Sequence, residues 1–334
     1  LESEKCTRCG VCSRVCPYTN NNITQEFEAD VYALKNREQD VLMKSTSGGA
    51  FSVIADYVLE RSGYVVGCVF DDKFSPIHII AEDSEGIAPM RGSKYVQSDT
   101  GTTYTQVQKL LHEDKWVLYT GTPCEIAGLR SYLRKNYDKL ITVDLVCHGV
   151  PSPGLFRKYL DNRESFFGGK ILEILFRDKK KYGQTSRGTI RFINRRGREK
   201  TKQISPLDDS YYFLFHQRRI NRMCCYSCKF AQEERVGDIT IADFWGIEEV
   251  LPSFKSGGGV SLVLVNTTKG KKIFDSITKK VYFAKVDLNL AADYNGNLRR
   301  HAALPSERTE IFEFVNYNGY DATTRKYCKY RYVI

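Results

Sequence analysis

The sequence predicts an α/β protein, mixed α+β in its second half, with a small ferredoxin-like head. Three observations carry that prediction. Cys6, Cys9, Cys12 and Cys16, followed at once by Pro17, form the run C-x2-C-x2-C-x3-C-P, the spacing in which bacterial ferredoxins hold a [4Fe-4S] cluster. Between residues 50 and 146, strand-like apolar runs alternate with helical patterns, as in a sheet layered with helices. Beyond about residue 155 the texture changes to paired strands, an aromatic-rich helix and further cysteines.

The head comes first. Two-residue spacers let three thiolates converge from one tight loop, while the reversal at Pro17 carries Cys16 away; in two-cluster ferredoxins the fourth Cys of such a run ligates the other cluster. One complete run is present and the sequence opens at Leu1 without an initiator Met, so an upstream half of the module is expected. Zinc and disulfide readings fit less well, since zinc requires no trailing Cys-Pro and disulfide staples suit small secreted domains. Residues 20–37 are polar and without period, as a linker would be. The head is therefore assigned to 1–38.

An N-terminal α/β domain is expected over 39–155, with strands at 64–70, 77–81, 116–120 and 140–146 and helices at 50–61, 104–112 and 126–134. A C-terminal domain is expected over 156–334. A helix at 153–162 leads into it, and it holds strands at 171–176, 189–194, 198–204, 238–242 and 260–266 and helices at 208–217 and 269–278.

Composition narrows the function. A chain of 334 residues is too long for a ferredoxin alone. Its longest apolar runs, such as 64–70 and 260–265, fall far short of the roughly 18 residues that span a bilayer, and no signal peptide is visible. A cytoplasmic protein is expected, in which the spacings of the 11 cysteines favour thiolate ligands over a disulfide framework. The net charge of +10 is compatible with an anionic cofactor or an acidic partner. Arg195, Arg196, Arg198 and Lys200 form the densest basic patch, but Gly197 between two strands makes it a solvated hairpin tip, and no nucleic-acid recognition motif accompanies it.

Two groups of residues carry further chemistry. Lys44-Ser45-Thr46-Ser47-Gly48-Gly49 runs into the helix beginning at Ala50, placing hydroxyls, glycines and free N–H groups at a helix N-terminus, where phosphate binds and Lys44 would add a charged contact. Ser47 acting only as a helix cap is the plainer alternative. No Walker loop and no G-x-G-x-x-G after a strand are present, so the body is not of the Rossmann type. Cys124 follows one strand in Gly121-Thr122-Pro123-Cys124 and Cys147 ends the next; if those strands are parallel neighbours, both thiols lie at one sheet edge. Cys225 and Cys228 add a C-x2-C pair, with Cys224 able to replace Cys225 if the register shifts. Cys68 and Cys328 read as ordinary thiols, and His148 as a hydrogen-bonding neighbour of a ligand or an acid–base group.

At these residues the chain resembles the coenzyme F420 hydrogenase/dehydrogenase beta-subunit family. The segments are 44–51, 91–98, 121–129, 147–153, 225–230 and 238–246, which with the intervening chain cover about residues 40 to 275. The resemblance implies a non-Rossmann FAD site, an internal [4Fe-4S] cluster beside the flavin, and two-electron exchange with a deazaflavin or similar organic partner. In such proteins an added ferredoxin module passes single electrons onward. Carried onto this chain, the resemblance assigns the FAD to Ser47-Gly48-Gly49 and Ser93-Lys94-Tyr95, with Lys44, Ser45 and Thr122 beside them, and the internal cluster to Cys124, Cys147, Cys225 and Cys228. Lys94 and His148 are the candidates for stabilising reduced flavin or delivering a proton.

Two positions depart from the family pattern. Glu125 stands where Gln commonly follows the Cys, and Ala242 where Gly usually precedes Asp-Phe-Trp-Gly. A carboxylate beside a cluster would lower its potential or repel an acidic substrate. The expected cofactors are thus two [4Fe-4S] clusters and FAD, and the expected partner is a ferredoxin, a larger redox complex or a reduced deazaflavin coenzyme. The rival readings are an electron-transfer subunit with no organic substrate of its own and a bacterial reductase linked to polysaccharide metabolism.

Overall fold

The computed structural model describes residues 6–14, 16–19, 29–254 and 257–328. Eight strands form the main sheet: β1 (Asp30–Asn36), β2 (Tyr64–Phe70), β3 (Pro76–Ala81), β4 (Val117–Gly121), β5 (Leu140–Leu145), β9 (Ile239–Asp243), β10 (Ser261–Val265) and β11 (Val281–Lys285). Their order across the sheet is β11-β1-β10-β9-β5-β4-β2-β3. Strands β2, β4, β5 and β9 pair parallel, and β1 runs the same way because two antiparallel steps through β10 restore direction.

Alternation along these strands decides which face each residue serves. Val65, Leu118, Ile141, Val143 and Ile239 pack beneath the helices Ala50–Leu59 and Thr268–Ile277. Val66, Val117, Tyr119 and Leu140 pack on the other face against the helices Thr103–His112 and Pro123–Leu133. Both faces are covered, so the central strands read as nearly continuous apolar runs.

The second layer is an antiparallel sheet of β6 (Lys170–Leu175), β7 (Gly188–Ile193) and β8 (Glu199–Ile204), joined in an aromatic core to the helices Pro153–Phe167, Ser210–His216 and Arg308–Tyr327. The basic patch is the β7–β8 hairpin tip, with Arg195, Arg196 and Arg198 exposed. Among the described residues no helix is long and apolar enough to cross a membrane.

The expected boundaries do not follow these layers. β1 lies inside the main sheet, paired with β10 and β11, so residues 30–36 are body rather than linker; the 20–28 part of that expected linker lies outside the described residues. A division at 155 would likewise cut one sheet in two, because β9, β10 and β11 complete it. Strand β1 escaped the sequence reading because Asp30-Val31-Tyr32-Ala33-Leu34-Lys35-Asn36 has polar ends and a short apolar centre, whereas its burial comes from strands far along the chain.

One buried ion pair locks the edge of the sheet. Arg235 donates to Asp144 Oδ1 at 2.9 Å, to the Leu145 carbonyl at 3.0 Å and to the Phe230 carbonyl at 3.0 Å. Both charged side chains are almost wholly buried, at 1% and 0% exposure. Arg235→Ala leaves Asp144 as an uncompensated buried charge and should cost about 3–5 kcal/mol. Denaturant unfolding checks this, and a loss below 1 kcal/mol would contradict it.

Candidate functional site

The C-terminal ends of β4, β5 and β9 open into a cleft of about 710 Å³. Parallel packing dictates the place: β4 and β5 are direct neighbours, with Gly121 opposite Asp144, so Cys124 and Cys147 do emerge at one sheet edge. Ligands of open α/β sheets bind at such ends.

One wall is the turn before the Ala50–Leu59 helix. Its N-cap is Gly49, left-handed at φ +86, and no side chain caps the first turn. Ser47 therefore does not act as the helix cap. Its hydroxyl pairs instead with the Ser261 hydroxyl at 2.6 Å, while its carbonyl accepts from Lys179 Nζ at 2.6 Å. Ser45, Ser47 and Gly49 line the cleft with Ala50 and Phe51. Lys44 is exposed and Gly48 buried, and neither is among the cleft-lining residues. A Cβ on Gly48 would stand 2.1 Å from the Leu34 carbonyl oxygen and 2.4 Å from the Ser261 nitrogen. Its glycine identity thus serves contact with two strands, not approach of a phosphate.

Arg91 was not singled out from the sequence, yet it lines the same wall and donates from Nε to Ser52 Oγ, in the first turn of that helix, at 3.0 Å. The clue was its place in the segment 91–98, immediately before Gly92, which takes φ +84. Ser93, Lys94 and Tyr95 also line the cleft. Lys94 Nζ donates to the carbonyls of Pro89, Arg91 and Gly92 at 2.6, 3.0 and 3.3 Å. Burial pushes its pKa down to about 8, opposed by Cys68. Three backbone partners make Lys94 an anchor of this turn. The Tyr95 ring is fixed against Phe215 at 4.6 Å.

Thr122, Pro123 and Glu125 form the start of the Pro123–Leu133 helix as a capping box, in which Glu125 Oε2 accepts from the Thr122 N–H at 2.7 Å. Its other oxygen accepts from Ser98 Oγ at 2.7 Å. Glu and Gln both satisfy a capping box, which explains why either residue can follow Cys124. After β5, Gly149 at φ +96 brings the Cys147-His148-Gly149 loop against the turn Met223–Ser227; a Cβ there would lie 3.2 Å from Cys225 Cβ.

These loops gather the second thiol group. Burial, reinforced by Glu125 and by Cys225 and Cys228, pushes Cys124 up to about 12. Burial and Cys124 raise Cys147 well above the ordinary thiol value. Cys225, at about 11, and Cys228 are raised chiefly by burial and also by Cys224. Four thiolates here would repel one another unless a cationic core lay among them. Every sulfur also faces a donor: Thr122 Oγ1 is 3.2 Å from Cys124 Sγ, the Gly149 N–H is 3.4 Å from Cys147 Sγ, Val150 contacts Cys225, and Phe230 and Ala231 contact Cys228. Such donors favour the charged sulfur. Among the described residues no three His, Cys, Asp or Glu side chains are arranged to hold a metal ion. Four cysteines in one group is the ligand number that a [4Fe-4S] cluster takes.

In the head, Cys6, Cys9 and Cys12 are exposed and Cys16 half-buried around the helical turn Val11–Arg14. The Cys9 thiol is lowered, first by the Val11 N–H and then by the Thr7 hydroxyl. Cys16 is lowered, first by the Tyr18 N–H. The surroundings of Cys9 and Cys16 thus favour the charged sulfur.

His148 lines the cleft beside Cys147. Its Nε2 accepts from Arg218 Nε at 3.2 Å, which puts the proton on Nδ1, and that buried atom has no partner among the described residues. Burial first, then Arg218 and His216, push it down to about 4, so the ring is neutral near pH 7. Trp245 and the loop 294–297 complete the rim. Sequence reading missed that loop because nothing in Tyr294-Asn295-Gly296-Asn297 signals chemistry until the fold carries it to the strand ends.

Models of the coenzyme F420 hydrogenase/dehydrogenase beta subunit match this chain twice, the N-terminal model over residues 31–103 and the C-terminal model over 114–289. The chain belongs to that family. It is an oxidoreductase family, so the role of the chain is a redox one. Among solved structures, a chain of the F420-reducing [NiFe] hydrogenase complex from Methanosarcina barkeri, studied as a xenon derivative, is similar at a TM-score of 0.51 and 16% identity, over 90% of this chain and 96% of that one. That likeness supports the fold. No curated protein matches.

Proposed function

We propose that the chain is an FAD and iron–sulfur oxidoreductase that couples two-electron exchange at a flavin to one-electron transfer through two [4Fe-4S] clusters. The observation that carries this reading is a shared cleft: the uncapped helix N-terminus with Arg91, suited to a pyrophosphate, and Cys147 of the internal thiol group line one cavity. A bound flavin supplies the conversion between hydride and single electrons. The chain's own residues supply the rest. The amides at the start of the Ala50–Leu59 helix and Arg91 bind the phosphates, Lys94 holds the turn that shapes the wall, and neutral His148 presents its Nδ1 proton. Cys124, Cys147, Cys225 and Cys228 hold the internal cluster and Cys6, Cys9, Cys12 and Cys16 the head cluster.

The organic partner enters at the rim by Trp245, and a deazaflavin coenzyme or a ferredoxin-like protein is the exchange partner in a cytoplasmic setting. A relay subunit without an organic substrate would not need so open a cavity. The test is the visible spectrum of anaerobically purified protein with iron and flavin analysis; protein carrying neither flavin nor iron would overturn the reading. Arg91→Ala should weaken flavin retention by roughly 10- to 100-fold, the loss of one charge-assisted contact of about 1.5–3 kcal/mol. Fluorescence of released flavin reads this, and unchanged retention would move the phosphates elsewhere.

A further inference from the structure

The last residues of the head touch the internal thiol group. The Tyr18 ring meets Phe230 edge to face, with centroids 5.7 Å apart at 73°. Its hydroxyl bonds with the Cys224 thiol, and it lies close enough to Cys124 and Cys228 to feel their charge. Cys16 in turn senses Lys229, whose Nζ lies 5.6 Å from the Phe230 ring centroid. Tyrosine suits this place because its ring packs on an apolar surface while its hydroxyl seeks a polar partner. Cys6, Cys9 and Cys12 of the head are exposed.

We propose that Tyr18 is a positioning residue that seats the head on residues 224–230, so that the two thiol groups are consecutive stations of one electron path. Cys224 is then the partner of Tyr18 and not a cluster ligand, and the exposed side of the head is left for an outside electron carrier. The inference rests on reading both thiol groups as cluster sites. An electron crossing the contact oxidises one cluster by one unit and reduces the other by one; no bond breaks and the tyrosine keeps its proton.

The test uses the full chain, purified anaerobically. Fully reduced with dithionite, the wild type should show an electron paramagnetic resonance spectrum broadened by interaction between two clusters, and Cys12→Ser should give the unbroadened internal signal. Tyr18→Ala should retain the iron of both groups but lose the broadening; Tyr18→Ala with full iron and wild-type broadening would overturn the proposal. Hydrogen exchange reads the docking without reference to metal. Peptides covering 224–230 should exchange faster in Tyr18→Ala, with a smaller increase in Tyr18→Phe and Cys224→Ala, and unchanged exchange in all three would overturn it. Wild-type protein lacking iron in either group would instead refute the functional reading, leaving hydrogen exchange to decide the docking.

Discussion

Gly48→Val should yield little folded protein, rather than a folded protein that has lost its flavin. The added side chain would meet the Leu34 carbonyl oxygen of β1 and the Ser261 nitrogen of β10, at 2.1 and 2.4 Å from the Cβ alone. Neither atom can swing aside as a side chain would. Both belong to strands paired residue by residue, and the Gly48 carbonyl itself accepts from the Asn36 N–H at 2.8 Å. Overpacking a core costs about 1–3 kcal/mol when side chains can adjust; against backbone the cost should reach at least about 3 kcal/mol, a large part of ordinary domain stability. Soluble yield and the thermal midpoint measure it. A soluble Gly48→Val protein with the wild-type midpoint and no flavin would restore this glycine to the phosphate site.

Cys225→Ala should remove the iron of the internal group and spare that of the head. Cys225 lies near enough to Cys124 and Cys147 to raise both thiols, and Cys228 raises Cys225 in turn. One sulfur fewer leaves the core with an open coordination position in a buried site. Iron should fall by about half of the total, with the head's paramagnetic signal unchanged. Cys224→Ala, one residue away, should keep its iron. Full iron in Cys225→Ala together with loss in Cys224→Ala would reverse the ligand assignment.

Much of this was legible before any coordinates. Strands β2 to β5 and their covering helices show in the sequence because residues such as Val65 and Val66 serve opposite buried faces, making long apolar runs bounded by turns. The pairing of Cys124 with Cys147 was readable because both follow strands whose parallel adjacency is the ordinary arrangement of alternating strands and helices. What was hidden depends on distant partners. Gly48 was read as a phosphate glycine because local pattern cannot reveal Ser261 lying over it. Glu125 was read only for its charge beside Cys124, which it does raise; its carboxylate also closes the turn at Thr122, a role its spacing of three residues does encode. Arg91, the rim loop at 294–297 and the contact of Tyr18 with Phe230 arise only where the chain returns to the same edge.

The pairing of β1 with β10 also sets an order of events during synthesis. Asp30 pairs with Val265, so at about 5–20 residues per second the first strand waits roughly 10 to 50 seconds for its partner to leave the ribosome. The four head cysteines have been made by the start of that interval. The internal cysteines are all present only once Cys228 has been made. The turn at Ser47-Gly48-Gly49, which rests on Leu34 and Ser261, cannot take its shape until Ser261 has been made. On the function proposed above, a growing chain thus has all eight cluster thiols before the turn at the flavin site can take its shape, an order in which iron precedes flavin.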